Sequence, residues 1–354
     1  MKLRLILNTV NCSLVLGLAN AGAHALCPTD TFVPSAANKT ADRENARPGV
    51  LIMAHGGSEA WNQAVEQAIA PLQDDYPIEI AYGMAKASTM HAAVERLEDQ
   101  GVNTIAVVRM FISGSSFLDK TEYILGLRHA LEGDMHSKAM KGHESPMSMP
   151  PMERKMDSQM GSQMDNKMDD KMNDQPQGMG GHSMEAPTPI DSDSTFILST
   201  DGVSASTLID DILVDRVRAL SVDPSAESIL ILAHGPGDDQ ENKQWLIDMQ
   251  RRTERLSSLG DFIDIRCETL REDWPGRRAE AEKRIRAFVQ SNNDAGNRVI
   301  VIPFRVAGFG PYAEVLEGLD YIADQRGFSP HPNMTAWVDQ TARALLPMLP
   351  PSTD

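Results

Sequence analysis

Positive charge is scarce in this chain: 33 Lys and Arg stand against 50 Asp and Glu in 354 residues, a formal net charge of -17. That deficit argues against nucleic acid or an anionic membrane surface as partner, because binding either one exchanges Lys and Arg for condensed counterions. It is compatible with cationic ligands. Long apolar runs are missing after the first residues, so no membrane span is expected in the body of the chain. Cysteine is limited to three residues, too few for a disulfide-built scaffold. What remains is ample: 41% of the residues are hydrophobic, enough for a real core, and the length makes two domains the natural expectation.

The first residues read Met1-Lys2-Leu3-Arg4, then an apolar run broken by Asn8 and Asn11, then small residues ending Ala23-His24-Ala25. This is the layout of a secretory leader with an A-x-A cleavage signature, so residues 1–25 are expected to be a signal peptide and the protein to be exported to a periplasm-like compartment. Cys12 would leave with the leader. Cys27 and Cys267 would remain, and in an oxidising compartment they are expected to pair.

A repeat organises the remainder. Gly49 to Ala54 is an apolar run ending in His55-Gly56-Gly57, and Ser228 to Ala233 is another ending in His234-Gly235-Pro236-Gly237; a helical pattern follows each. Further along, Ile78 to Tyr82 matches Ile263 to Cys267, and Thr104 to Ile112 with Ser113-Gly114 matches Val299 to Val306 with Ala307-Gly308. Phe196 to Leu198 before a helix from Ser206 to Leu220 matches Phe328 to Pro332 before a helix from Thr335 to Leu346. Strands apolar throughout, alternating with helices, predict an α/β fold of two tandem doubly wound parallel-sheet domains, 47–222 and 226–349, after a polar stretch at 26–46. Ligands in such sheets sit beyond the carboxyl ends of the strands, where both His-Gly loops lie.

A stretch at 134–193 interrupts the first domain, rich in Met, Gln, Ser, Asp, Lys and Gly and poor in other large apolar residues, and is expected to be disordered. Met152, Met156, Met160, Met164, Met168 and Met172 recur in it at a period of four, with His136, His143 and His182 flanking. Thioether sulfur is a soft ligand, so the tract reads as a Cu(I) binder or as a flexible tether; its spacing also suits an amphipathic helix formed on binding.

With the strand-His-Gly unit, the third strand ending in a Gly-containing loop and the helix after it all repeated, the chain resembles the class II metal chelatases, the sirohydrochlorin cobaltochelatase and ferrochelatase family. The resemblance covers most of the chain outside the Met-rich stretch. It implies a chelatase-like fold and insertion of Co2+ or Fe2+, or Ni2+, into a tetrapyrrole without a nucleotide, with histidines holding the metal in the cleft between the halves. His55 and His234 carry the family's first histidine, as metal or proton-transfer residues. Its second histidine falls where this chain has Ser116 and Gly310, so carboxylates such as Glu122 and Glu314, or His331 and Cys267, are the alternatives. Arg109 and Arg305, in third strands otherwise apolar, are expected to anchor a polycarboxylate tetrapyrrole or to form internal ion pairs. The rival expectation is an exported carrier or sensor of copper, cobalt or nickel that keeps the fold without catalysis.

Overall fold

The computed structural model describes residues 46–130 and 186–348. Strand β1 (Pro48–Ala54) lies between β2 (Ile78–Tyr82) and β3 (Thr104–Met110), and β3 carries β4 (Thr195–Leu198) on its other side, every pair parallel. A second parallel sheet sets β5 (Glu227–Ala233) between β6 (Asp264–Thr269) and β7 (Arg298–Pro303). Helices α1 (Glu59–Ile69), α2 (Ala87–Asp99), α3 (Leu118–Ile124), α4 (Leu208–Leu220), α5 (Asp239–Thr253), α6 (Pro275–Asp294), α7 (Tyr312–Val315) and α8 (Pro332–Leu345) link and cover the strands. None of the described helices is long and apolar enough to cross a membrane.

The central strands β1 and β5 are mostly apolar because both of their faces are covered. In β1, Val50, Ile52 and Ala54 point to one side and Leu51 and Met53 to the other; in β5, Ile229, Ile231 and Ala233 oppose Leu230 and Leu232. The outer face of the first sheet packs on α2 and α3 residues such as Met90, Leu97 and Ile124. That of the second packs on Ile285, Phe288 and Tyr312 from α6 and α7. The two inner faces share a single core, filled by α1, α4, α5 and α8.

That shared core comes from a crossing of helices. Helix α4 leaves the first sheet and packs on α5 and β7, while α8, at the far end of the chain, packs on β3 and α1. Thr335 donates from α8 to the Ala68 carbonyl at 2.6 Å, and the Tyr76 hydroxyl bonds Asp339 at 3.2 Å. Arg216 of α4 reaches in the opposite direction, to the Gly327 carbonyl at 3.0 Å. Each sheet is therefore closed by the other half's last helix, and the region 222–226 does not divide the core.

Register corrects the repeat alignment in the sequence. Val50 pairs with Ile78 and Ala106, and Ile229 with Ile265 and Ile300, so Ile78 corresponds to Ile265 rather than Ile263. Carried along the strands, this sets Arg109 opposite Pro303; Arg305 lies two residues beyond the end of β7. Phe328 does not match Phe196. Its amide donates to the Arg305 carbonyl as the Val203 amide does to Phe111, while the fourth-strand position is filled by Ile322, which makes a lone parallel bridge to Ile300.

Candidate functional site

β1 and β5 each end at the rim of their sheet and deliver a histidine into a glycine turn. Gly56 and Gly235 take φ values of +78° and +76°, which L side chains rarely adopt. The turn brings its own carbonyl back to the ring: His55 Nδ1 lies 2.8 Å from the Gly56 oxygen and His234 Nδ1 lies 2.7 Å from that of Gly235. A carbonyl only accepts, so in each ring Nδ1 carries a proton and Nε2 is the nitrogen turned away from the glycine turn. Ser58 and Asp238 then cap α1 and α5 with their side chains, which fixes where each turn stops.

The halves meet at these rims. Burial holds the His55 imidazole below its ordinary value; the charges of Arg305 and His234 push the same way, against the Gly56 carbonyl and Asp273. His234, Arg305 and Asp273 all belong to the other half, so the two His-Gly loops lie within electrostatic reach of each other. Two further contacts cross the junction. The Ser115 hydroxyl in the loop after β3 donates to Glu241 at 2.9 Å, and Gly308 in the loop after β7 lies against Trp61 of α1, where a Cβ would come to 3.3 Å.

Around His234 the loop after β6 adds two carboxylates. Asp273 Oδ2 stands 3.1 Å and Glu272 Oε2 3.9 Å from His234 Nε2. Glu272, 8% exposed, also pairs with Arg305, whose guanidinium lies 5.7 Å from the centre of the buried Tyr312 ring. Burial raises the Tyr312 phenol, with Glu272 adding to the shift and Arg305 opposing it. Arg271, at φ +59°, clamps the turn by donating to the Pro236 and Gly237 carbonyls. An aromatic ring flanks each imidazole: Trp61 at 6.5 Å from His55 and Trp274 at 6.1 Å from His234, centroid to centroid.

Several residues singled out in the sequence have other employment. Arg109 is 1% exposed and donates to the carbonyls of Gly114, Ser199 and Ser116, so it anchors loops and makes neither an ion pair at contact distance nor a rim site for a carboxylate. Burial lowers its pKa to about 10, with Glu122 opposing, and it keeps its charge at neutral pH. Glu122 bonds Arg128. Glu314 is 78% exposed and lies 3.9 Å from Arg278. His91 pairs with Glu95 on a helix surface, and His331 caps α8 by accepting from the Asn333 amide. Glu268 lies 3.4 Å from Arg284. At Gly310, whose φ of +66° L side chains rarely adopt, a Cβ would meet the Arg305 guanidinium at 2.7 Å, so a second histidine there would displace Arg305. Met152, Met156, Met160, Met164, Met168, Met172 and Cys27 lie outside the described residues.

Among the described residues Cys267 has no disulfide partner; it is half-buried on β6, and burial pushes the thiol pKa up to about 12. A protonated thiol is a poor nucleophile and a poor metal ligand. Iodoacetamide at pH 8 should therefore leave the Cys267 peptide largely unmodified in native protein and label it fully in urea, by mass-spectrometric peptide mapping. Rapid native labelling would refute the assignment.

Among the described residues no three His, Cys, Asp or Glu side chains form a closed metal cluster. The donor set at the rims is sparse and open: two imidazole Nε2 atoms from opposite halves, with Asp273 and Glu272 beside one of them. Such a set suits a borderline divalent ion that must be released again. A cavity of about 300 Å³ opens next to the loop after β3, lined by Ser113, Gly114, Ser204, Arg251 and Arg252 among others. Its arginines already lie 3.6 Å from Asp248 and 3.2 Å from Asp210.

No family model and no curated protein matches this sequence. Among solved structures, SirB from Bacillus subtilis with Fe3+ aligns with 84% of this chain and 94% of its own length, at 11% identity and a TM-score of 0.50. The fold is chelatase-like. The sirohydrochlorin chelatase SirB from Bacillus subtilis subspecies spizizenii, in complex with cobalt, aligns with 86% of this chain and 98% of its own, at 11% identity and a TM-score of 0.44. A multi-domain protein from Deinococcus radiodurans with structural similarity to chelatases aligns with 84% of this chain at 15% identity and a TM-score of 0.43, and the chain spans 54% of its length. At 11% identity the likeness to SirB with Fe3+ shows the chelatase-like fold alone.

The carboxylates, the tryptophans and Arg271 were not singled out in the sequence. Their signal was nevertheless there: Arg271-Glu272-Asp273-Trp274 follows a strand and ends at Pro275, which opens a helix. The strand expected from Ile263 to Cys267 ends two residues short of the observed end at Thr269, so the loop at its carboxyl end is not marked.

Proposed function

We propose that this protein takes a divalent metal ion such as Co2+, Fe2+ or Ni2+ between its two His-Gly loops and passes it to a tetrapyrrole. The observation that carries this reading is the pair of imidazoles at equivalent strand ends, both with Nδ1 committed to a turn carbonyl, so that Nε2 is the nitrogen each would turn to a metal. The chelatase-like fold shared with SirB, whose structure is with Fe3+, supports it. The chemistry is balanced by protons: as the ion enters the macrocycle, two pyrrole N–H protons leave. Asp273, 67% exposed and 3.1 Å from His234 Nε2, and the imidazoles themselves are the bases positioned to accept them. Arg305, 21% exposed and paired with Glu272, would be the cation for a macrocycle carboxylate.

A metal-insertion assay with sirohydrochlorin and Co2+, Fe2+ or Ni2+, followed by the change in macrocycle absorbance, tests the reading. Catalysed insertion over the uncatalysed rate is expected with at least one of these ions. Tight metal binding without insertion would favour a second reading, an exported carrier or sensor in which the Met-rich tract captures Cu(I). Ser116 and Gly310, standing where the resembled family has its second histidine, motivate that alternative.

A further inference from the structure

We infer that Trp61 and Trp274 are the two aromatic faces that hold a planar conjugated macrocycle over the histidines. The inference rests on the chelation reading above and assigns the residues that bind the ring. Gly57 and Gly237 occupy equivalent places, each immediately before the capping residue of the helix that follows, two residues beyond His55 and three beyond His234. Each is covered by an indole: a Cβ at Gly57 would meet Trp61 at 3.1 Å, and one at Gly237 would collide with Trp274. Yet the tryptophans occupy unlike positions. Trp61 comes from the first turn of α1, and its counterpart in α5 is Glu241; Trp274 comes from the loop after β6, where the first half has Gly83-Met84-Ala85-Lys86. Two different routes bring the same side chain to the same place beside a histidine.

Trp61 also packs against the shared core, but folding does not account for Trp274. Trp274 stands at the N-cap of α6, makes no capping hydrogen bond there, and is 36% exposed. Ser, Thr, Asp or Asn would serve better at that position, and a local rule broken beside a functional group is where ligand contact is expected. Neither imidazole stacks on its indole; the interplanar angles are 58° and 90°. Gly308, at φ +70°, lets Trp61 approach the opposite half and carries this wall across the junction. Arg305 supplies the cation that a polycarboxylate rim requires.

The test uses the full chain and metal-free uroporphyrin as probe, titrated by porphyrin absorbance, with Co2+ affinity measured in parallel. The parent should bind the porphyrin saturably. Trp61→Leu and Trp274→Leu should each weaken it about tenfold and the double variant about 100-fold, while the Phe variants stay within about threefold of the parent and Co2+ affinity stays within about twofold. Circular dichroism confirms that each variant is folded. Leu variants that bind porphyrin as the parent does, or a parent that binds none, would overturn the inference. Porphyrin binding that depends on both tryptophans in a protein with no affinity for Co2+ would support the clasp and sink the chelation reading instead.

Discussion

Replacing both His55 and His234 with alanine is expected to weaken Co2+ binding more than 100-fold and to abolish insertion. Loss of a residue that only orients a metal ligand costs about 10- to 100-fold in affinity, and a ligand itself should cost at least as much. A 100-fold loss corresponds to about 2.7 kcal/mol. Each single variant should fall between the parent and the pair, because each half contributes one Nε2. His91→Ala, which removes a helix-surface partner of Glu95, should leave the affinity within about twofold. His331→Ala should cost about 1 kcal/mol of stability as a lost cap and leave metal affinity alone. Isothermal titration at one pH checks the Co2+ affinity of all five variants; a double variant that binds Co2+ like the parent would make the His-Gly loops simple turns.

The second large effect concerns the crossing helices. Trp337 on α8 is 6% exposed and packs in the core that both sheets share. Trp337→Ala should cost about 3–5 kcal/mol. Because α8 rests on β3 and α1 of the first half while belonging to the chain's last segment, the loss should fall on the whole molecule. Urea unfolding followed by far-ultraviolet circular dichroism should show one transition with a lowered midpoint. Two separate transitions, with the first half unaffected, would contradict a shared core.

Much of the fold was legible because burial on both faces leaves a simple trace. β1 and β5 read as unbroken apolar runs and the His-Gly turns marked their ends. Helices appeared at the expected places with frayed limits: the helical pattern after Gly57 is α1 through Ile69 and then a tighter turn at Ala70–Leu72. The exchange of α4 and α8 was not legible, since an amphipathic helix shows which face is apolar and not which sheet it covers. Phe328 misled for a related reason. It is buried against Phe304, centroids 4.9 Å apart, so it has an aromatic core residue's signature without being in a strand.

The site was half legible. Repetition picked out His55 and His234, and Arg305 was noticed because a cation stood in an apolar run. Arg109 looked the same in sequence, but lying two residues earlier in register it points into the loop carbonyls of its own half. Glu272, Asp273 and Trp274 occur once, with no counterpart in the first half, so a search for repeats passed over them.

The central claim, that one metal ion is shared by histidines from both halves, is tested most directly by titrating Co2+ into protein with assigned imidazole resonances. One equivalent should shift or broaden the His55 and His234 signals together while those of His91 and His331 persist. Perturbation of one of the pair alone, or responses that require two equivalents, would contradict it.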